Sequence, residues 1–300
     1  MIQKYPRDMV GYGQKTPKVK WPNNAKLALQ IVLNYEEGSE NCVLHGDRTS
    51  EVFLSEIIGA QPIKGRHINM ESLYEYGSRR GFWRIHKLFQ EKKIPITIFG
   101  VGMALEKNLE ICQAIKESDY EVASHGWRWI DYQKVTRSTE KKHMRLAIKS
   151  IEKIFGKRPL GWYTGRCSPN TRDLVMEEGG FLYDSDSYSD DLPYWEVRGK
   201  KKQLIIPYTL DNNDMRFATN QGFNSGEQFY TYLKDSFDTL YNEDNPPKMM
   251  SVGLHCRIIG RPGRIQSLKK FLDYVLKHKD VWICKRIDIA KHWIKNYSIK

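Results

Sequence analysis

Two groups of ionisable residues follow apolar segments that are typical of buried strands. Glu36 and Glu37 come soon after the apolar segment 27–33, and His125 follows the segment 120–123. In α/β folds, polar residues at the carboxyl ends of strands are where active sites form. A carboxylate can take a proton from water, and a histidine can protonate a departing nitrogen. These residues therefore predict hydrolysis of an amide-like bond.

Further ionisable residues follow later apolar segments in the same way. They are Arg166, Asp184, Asp186, His255 and Arg257. One isolated histidine would be most simply explained as a core or surface residue, but five strand ends with ionisable side chains predict convergence at one mouth of a barrel. An arginine at this place can orient a carboxylate or stabilise an oxyanion.

The residue pattern contains part of a metal site, but one expected ligand is missing. Glu37 and His125 are residue types that bind metals, but the position one helical turn after His125 is Trp129, which cannot. A catalytic zinc site needs three protein ligands and an open position. A phosphate-binding loop is also absent, because the Gly-Tyr-Gly segment 11–13 lacks a flanking strand and helix. The sequence predicts neither a metal nor another cofactor.

Apolar and amphipathic segments alternate along the chain. Strands are predicted at 26–34, 94–101, 121–124, 160–163, 181–184, 204–207, 249–255 and 281–284. Helices are predicted at 76–92, 105–116, 139–155, 170–179, 227–241 and 265–278. This alternation is typical of an α/β fold with a parallel sheet, here closed into a distorted (β/α) barrel of about seven strands.

The chain is predicted to form one domain over residues 1–300, because no linker or low-complexity segment divides it. A polar, basic arm covers 1–24. The segment 38–70 contains few helix signals, and a loop of that length is usually functional: a lid, a substrate wall or a subunit contact.

The composition limits the possible partners. The net charge is +12, but lysine and arginine are spread along the whole chain rather than gathered in a stripe, which disfavours a nucleic-acid partner. The five cysteines show no zinc-ligand spacing and indicate free thiols in a reducing compartment. An apolar leader and an 18-residue apolar stretch are both lacking, so the prediction is a cytoplasmic protein without a membrane partner.

Longer motifs resemble the polysaccharide deacetylase superfamily (NodB homology, carbohydrate esterase 4), and within it the branch of metal-independent allantoinases. The matching segments are 5–8, 11–13, 33–38, 70–77, 127–132, 161–166, 190–195 and 253–257. The resemblance implies the superfamily's distorted barrel and hydrolytic opening of the allantoin ring to allantoate in purine (ureide) catabolism. It also implies catalysis without a metal by a homo-oligomer, expected to be a tetramer.

By the same resemblance, five residues are the expected catalytic set. Glu36 stands at the position of the general base, and His255 at that of the general acid. Glu37 and His125 occupy the positions of former metal ligands and become orienting groups. Arg166 is expected to position Glu36 or to stabilise the oxyanion. Glu37 is the alternative base.

Allantoin is small, flat and rich in N–H and C=O groups, so a compact pocket with polar and aromatic walls is expected. The expected substrate-binding residues are Asn34, Tyr35, Trp127, Trp129, Tyr163 and Asp184. The turn 212–214 is a weaker candidate for the same role.

Two other functions remain open, besides a relative of the allantoinases that acts on another cyclic amide or ureide. A metal-dependent deacetylase of chitooligosaccharide or peptidoglycan would need a third ligand, for example His45 or His67. The +12 charge also motivates a non-catalytic nucleic-acid binder, against which stands the retention of all five expected catalytic residues.

Overall fold

Strand β1 (Leu27–Tyr35) lies within the sheet, and all nine of its residues are buried. The computed structural model describes residues 5, 7–243 and 247–299. The predicted arm 1–24 and the motif 5–8 therefore lie partly outside the described residues. A strand buried on both faces reads as a nearly continuous apolar segment, which is why β1 is recognisable in the sequence.

The described residues form one nine-stranded sheet. After β1 come β2 (Thr97–Gly100), β3 (Glu121–Ser124), β4 (Gly161–Trp162), β5 (Tyr183–Asp184), β6 (Tyr194–Arg198), β7 (Lys201–Ile205), β8 (Lys248–His255) and β9 (Val281–Cys284). The strand order is β6-β7-β5-β4-β3-β2-β1-β8, and β9 pairs with β1. All pairs are parallel except β6 with β7, so the carboxyl ends of the parallel strands meet at one edge.

The helices connect successive strands and cover the sheet. They are α1 (Ile68–Tyr76), α2 (Phe82–Lys92), α3 (Gly102–Glu106), α4 (Leu109–Glu117), α5 (Arg137–Phe155), α6 (Thr171–Glu178), α7 (Gly226–Asn242), α8 (Cys256–Ile259), α9 (Pro262–Val275) and α10 (Arg286–Asn296). No helix within 7–243 or 247–299 combines the length and hydrophobicity needed to cross a membrane.

The side chain of Arg286 shows that the sheet is rolled. This fully buried arginine donates hydrogen bonds to Gln30 Oε1 (2.6 Å) on β1 and to Ser251 Oγ (2.9 Å) on β8. It also donates to Ser185 Oγ (2.9 Å) after β5 and to the Pro207 carbonyl (2.9 Å) after β7. One side chain therefore joins β1 and β8 to the segments that follow β5 and β7, near the other end of the strand order. An isolated parallel bridge also pairs Asn213, after β7, with Gly253 of β8.

These features confirm the predicted α/β distorted barrel. The strand count is nine rather than about seven, because the antiparallel β6 extends one end of the sheet and β9 pairs outside the main path. The predicted helix 76–92 begins earlier, at Ile68, and contains a π-helical turn over Gly77–Gly81. The predicted helix 105–116 is divided into α3 and α4, since Asn108 caps a new helix by accepting a hydrogen bond from the Ile111 amide.

Candidate active site

A cavity of about 200 Å³ opens at the carboxyl ends of the parallel strands. We call it the central cavity. Its polar wall is formed by Asn34, Glu36, His125, Arg166, Asn213 and His255. Its apolar wall is formed mainly by Phe53, Leu54, Trp129, Tyr163, Tyr188 and Tyr208. Ligand pockets for drug-sized molecules are typically about 300–1,000 Å³, so the central cavity is suited to a smaller molecule.

Glu36 is the most highly connected group of the central cavity. Its Oε1 lies 3.2 Å from His125 Nε2 and 3.4 Å from His255 Nε2. Its Oε2 accepts a hydrogen bond of 2.7 Å from Arg257 Nη1. All four side chains are at least nine-tenths buried, so these contacts act where water screens them little.

These contacts keep Glu36 ionised. Burial alone would raise the pKa of the Glu36 carboxyl, but the charges of His255 and Arg257 and the hydrogen bonds from His125 and His255 outweigh burial. The pKa of Glu36 is therefore held well below its usual value. Glu36 is therefore a carboxylate over the whole physiological pH range.

Glu37 points away from the central cavity, although it is the next residue in the chain. Its Oε2 accepts a hydrogen bond from the Glu36 amide (3.0 Å), and its Oε1 accepts one from the Arg257 amide (3.2 Å). A side-chain carbon at Gly77 would collide with the Glu37 carboxyl, which explains why the motif 70–77 ends in glycine. Burial raises the pKa of Glu37 to about 7, with Arg257 opposing and Glu36 adding to the shift.

His255 is oriented by a buried carboxylate that the sequence analysis did not identify. Its Nδ1 lies 2.6 Å from Asp214 Oδ1, and its amide donates to Asp214 Oδ2 at 2.8 Å. Burial opposes the charged imidazole, but Glu36 and Asp214 raise the pKa of His255 to about 9. At neutral pH His255 is therefore a cation with its Nε2–H directed at Glu36. The turn 212–214 was only a weaker candidate for substrate contact; its Asn213 lines the central cavity, whereas Asp214 acts through His255.

The arginine that holds Glu36 is Arg257 rather than Arg166, which corrects the first of the two roles expected of Arg166 and leaves the oxyanion role as a prediction. Arg166 Nη1 instead lies 3.4 Å from Glu51 Oε2, and its guanidinium packs over the rings of Phe53 and Trp129 at 4.9 and 5.2 Å from their centroids. It still lines the central cavity. Arg257 stands two residues after His255, so the motif 253–257 contained the signal that would have identified it.

Two aromatic residues expected to bind substrate lie elsewhere. Tyr35 points to the opposite face of β1 from Asn34 and Glu36, since neighbouring side chains alternate along a strand. Its hydroxyl pairs with Ser78 Oγ at 3.0 Å within the core. Trp127 follows a left-handed turn at Gly126, and its ring lies close to Gly102 of α3, outside the lining of the central cavity.

Asp184, also expected to bind substrate, is a structural residue. It is fully buried, forms an ion pair with Arg172 and accepts a hydrogen bond from the Asp186 amide at 2.8 Å. It does not line the central cavity. Of the expected substrate-binding residues, Asn34, Trp129 and Tyr163 do line it.

The residues present do not fit the metal site of the superfamily that the sequence motifs resemble. Trp129 occupies the third-ligand position and stacks against Phe53, with ring centroids 5.9 Å apart. Glu37 and His125 face different cavities. Within the described part of the chain, no group of three His, Cys, Asp or Glu residues could hold a metal ion.

The histidines considered as a replacement ligand do not reach the central cavity either. His45 contacts the Glu40 carbonyl and Lys107 Nζ, at 3.1 and 2.6 Å. His67 caps α1 by accepting a hydrogen bond from the Met70 amide.

The chain is similar to known proteins in both sequence and structure. Residues 69–177 match the family model described as polysaccharide deacetylase. A Schizosaccharomyces pombe protein with the provisional name polysaccharide deacetylase is 42% identical over 98% of both chains. A crystal structure from Pseudomonas aeruginosa PAO1 with the same provisional name is 56% identical, with a TM-score of 0.97 over 99% of this chain and 100% of that chain. The crystal structure of PuuE allantoinase is 54% identical, with the same TM-score and coverage.

Proposed function

The chain belongs to the polysaccharide deacetylase family, and we propose that it is a metal-independent allantoinase, which hydrolyses the cyclic amide of allantoin to give allantoate. The observation that carries the proposal is the convergence of Glu36, His125 and His255 in a cavity of about 200 Å³. The similarity to PuuE allantoinase over nearly the whole chain supports the same reaction. The family and the allantoinase relative together support a hydrolase, and the substrate is to be tested.

The arrangement provides a base and an acid for ring opening. Glu36 takes a proton from a water molecule, whose oxygen then bonds to the ring carbonyl carbon. The bond between this carbon and the ring nitrogen breaks, and the nitrogen takes a proton from His255 Nε2. Arg257 and Asp214 are positioning residues in this scheme: Arg257 keeps Glu36 ionised, and Asp214 keeps His255 protonated.

The cavity walls offer suitable partners for allantoin. Arg166 can direct N–H groups at the oxygen on which negative charge develops, whereas the Nε2–H of His125 orients Glu36. Asn34 and Asn213 are the amide side chains of the polar wall, and can pair with the N–H and C=O groups of the ring. Trp129 and Tyr163 supply aromatic surface for its flat faces.

A hydantoin carbonyl also has less need of a Lewis acid than a sugar acetamide, because it is imide-like and a better electrophile. The base and acid of this site can therefore act on it without the metal that the residue set does not accommodate.

A metal-dependent polysaccharide deacetylase is the second candidate. Family membership and the provisional names of two relatives favour it. A small cavity with the loop residues Phe53 and Leu54 in its wall is less suited to a polymer than to a ring of a few atoms.

Metal removal separates the two candidates. Purified protein treated with excess EDTA is expected to convert allantoin to allantoate at an unchanged rate, since no step of the proposed mechanism uses a metal. Allantoate formation with and without added zinc or cobalt measures this. Activity that returns only with the metal, or deacetylation of chitooligosaccharide without allantoin turnover, would favour the deacetylase.

The pKa of His255 predicts the alkaline limit of the reaction. Because His255 must be protonated to act as the acid, kcat/KM should be high below pH 9 and fall as pH rises through about 9.

Asp214→Asn removes a charged hydrogen bond to His255 worth about 1.5 kcal/mol, so the pH at which kcat/KM falls should be about one unit lower. Identical pH profiles for both proteins would contradict the role given to Asp214. Glu106→Gln, at an exposed position, is the matched control.

The cellular setting follows from the resemblance and is likewise proposed. We expect a cytoplasmic homo-oligomer, with four subunits, acting in purine catabolism. Molecular mass in solution, measured by light scattering, tests the subunit number.

A further inference from the structure

The turn 51–54 belongs to the long segment 38–70 and contributes to the wall of the central cavity. Phe53 and Leu54 both line the cavity, but Phe53 is 41% exposed and Leu54 only 7%. The turn therefore passes between solvent and the cavity, with Leu54 as its buried member. The proposed mechanism assigns no step to either side chain.

The backbone of Leu54 adopts a conformation that leucine rarely takes. Its φ angle is +48°, in the left-handed region that favours glycine. Among the described non-glycine residues with a positive φ, Leu54 alone has an apolar side chain. Strain of this kind persists only where the surrounding structure imposes it, and it is concentrated at sites that bind or act on ligands.

A buried carboxylate imposes the conformation of this turn. Glu51 is buried, and its Oε1 accepts hydrogen bonds from the amides of the next two residues, both at 2.9 Å. Its Oε2 accepts a hydrogen bond of 2.6 Å from Asn41 Nδ2 and lies 3.4 Å from Arg166 Nη1. Glu51 therefore holds the turn that carries Leu54 together with the arginine of the polar wall.

A fixed apolar side chain in a cavity of about 200 Å³ limits the size of the ligand. Leucine offers no hydrogen bond, so it can act on a ligand only through its volume. A wall that cannot withdraw excludes oversized groups, because extra atoms in a packed site force strain on their surroundings. Resting on the proposed function, we infer that Leu54 determines substrate specificity. It admits a hydantoin ring with a substituent the size of the ureido group of allantoin and excludes larger substituents.

Leu54→Ala tests this inference with two ring substrates. The substituent of 5-benzylhydantoin is three non-hydrogen atoms larger than the ureido group, and the substitution removes three carbon atoms from the wall. We expect the ratio of kcat/KM for 5-benzylhydantoin to kcat/KM for allantoin to rise at least about tenfold. A variant that only folded less well would lower both rates equally and leave this ratio unchanged.

A second variant and a matched control accompany this measurement. Leu54→Gly removes the side chain and the backbone strain together, so it tests the same inference if the alanine variant fails to fold, and it should raise the ratio in the same way. The control is Leu44→Ala, in the same segment 38–70. Leu44 is exposed and lies outside the lining of the central cavity, so its substitution is expected to leave the ratio unchanged.

The inference is overturned if the wild-type protein hydrolyses both rings equally well, if neither Leu54 variant raises the ratio, or if Leu44→Ala raises it as much. A wild-type protein that hydrolyses neither ring contradicts the proposed function. In that case calorimetric titration measures the size limit, since Leu54→Ala should raise the affinity for 5-benzylhydantoin relative to allantoin. An unchanged relative affinity, or no binding of either ring, would then overturn the size limit as well.

Discussion

Glu36→Gln is expected to lower kcat for allantoin hydrolysis about 10³-fold, within the range attributed to a general base. Glutamine keeps the shape of the side chain and cannot accept the proton of the attacking water. The substitution also leaves the buried Arg257 without its nearest charge partner, so a loss of stability of up to about 3–5 kcal/mol is expected as well. Steady-state kinetics on the fraction that remains folded, checked by circular dichroism, measures the effect.

The neighbouring residue provides the control for this prediction. Glu37 lies off the central cavity, and its pKa of about 7 leaves it partly protonated at neutral pH, so Glu37→Gln removes less charge. We expect a loss of kcat below about tenfold. Small and equal losses in the two variants would rule out a carboxylate base at this site. A much larger loss in Glu37→Gln would reverse the roles of the two residues.

His255→Gln should have the second largest effect, a loss of about 10²–10³-fold in kcat, because the ring nitrogen would then depart without a proton donor. The same substitution should also change how kcat/KM depends on pH. The fall in kcat/KM near pH 9 should disappear, since the group that titrates there is gone. A pH series of kcat/KM for both proteins measures both effects.

The pH series also separates chemistry from folding. In the wild-type protein, the raised pKa of His255 stabilises the fold below its unfolded value of 6.5, and this contribution is lost as pH rises through about 9. A variant that only unfolded more easily would keep the alkaline fall in the kcat/KM of its folded fraction. An unchanged alkaline limit in His255→Gln would therefore assign the limit to another group.

Glu36 and Glu37 illustrate how one strand end produces two different carboxyl groups. Both are buried, but Glu36 receives hydrogen bonds from two histidines and an arginine, whereas Glu37 receives them mainly from backbone amides. Opposite pKa shifts follow from these surroundings. Because backbone alternation sends the two side chains to different cavities, only Glu36 is placed to meet substrate and water.

The sequence by itself determined the barrel and the place of its site. Strand–helix alternation implies parallel strands, and the carboxyl ends of parallel strands meet at one edge, so Glu36, His125 and His255 could be assigned to one cavity from local patterns alone. Trp129 at the third-ligand position likewise predicted a residue set that does not suit a metal. These inferences needed only the order of segments along the chain.

The tertiary structure decided which side chains meet across that edge. Asp214 pairs with His255 from 41 positions away, and nothing in the spacing connects them. Arg257, rather than Arg166, reaches Glu36, while Tyr35 and Asp184 turn into the interior. Such pairings depend on the paths of loops between strands, and on the side of each strand that a residue occupies. Neither is fixed by local sequence, because both result from the packing of segments that are distant in the chain.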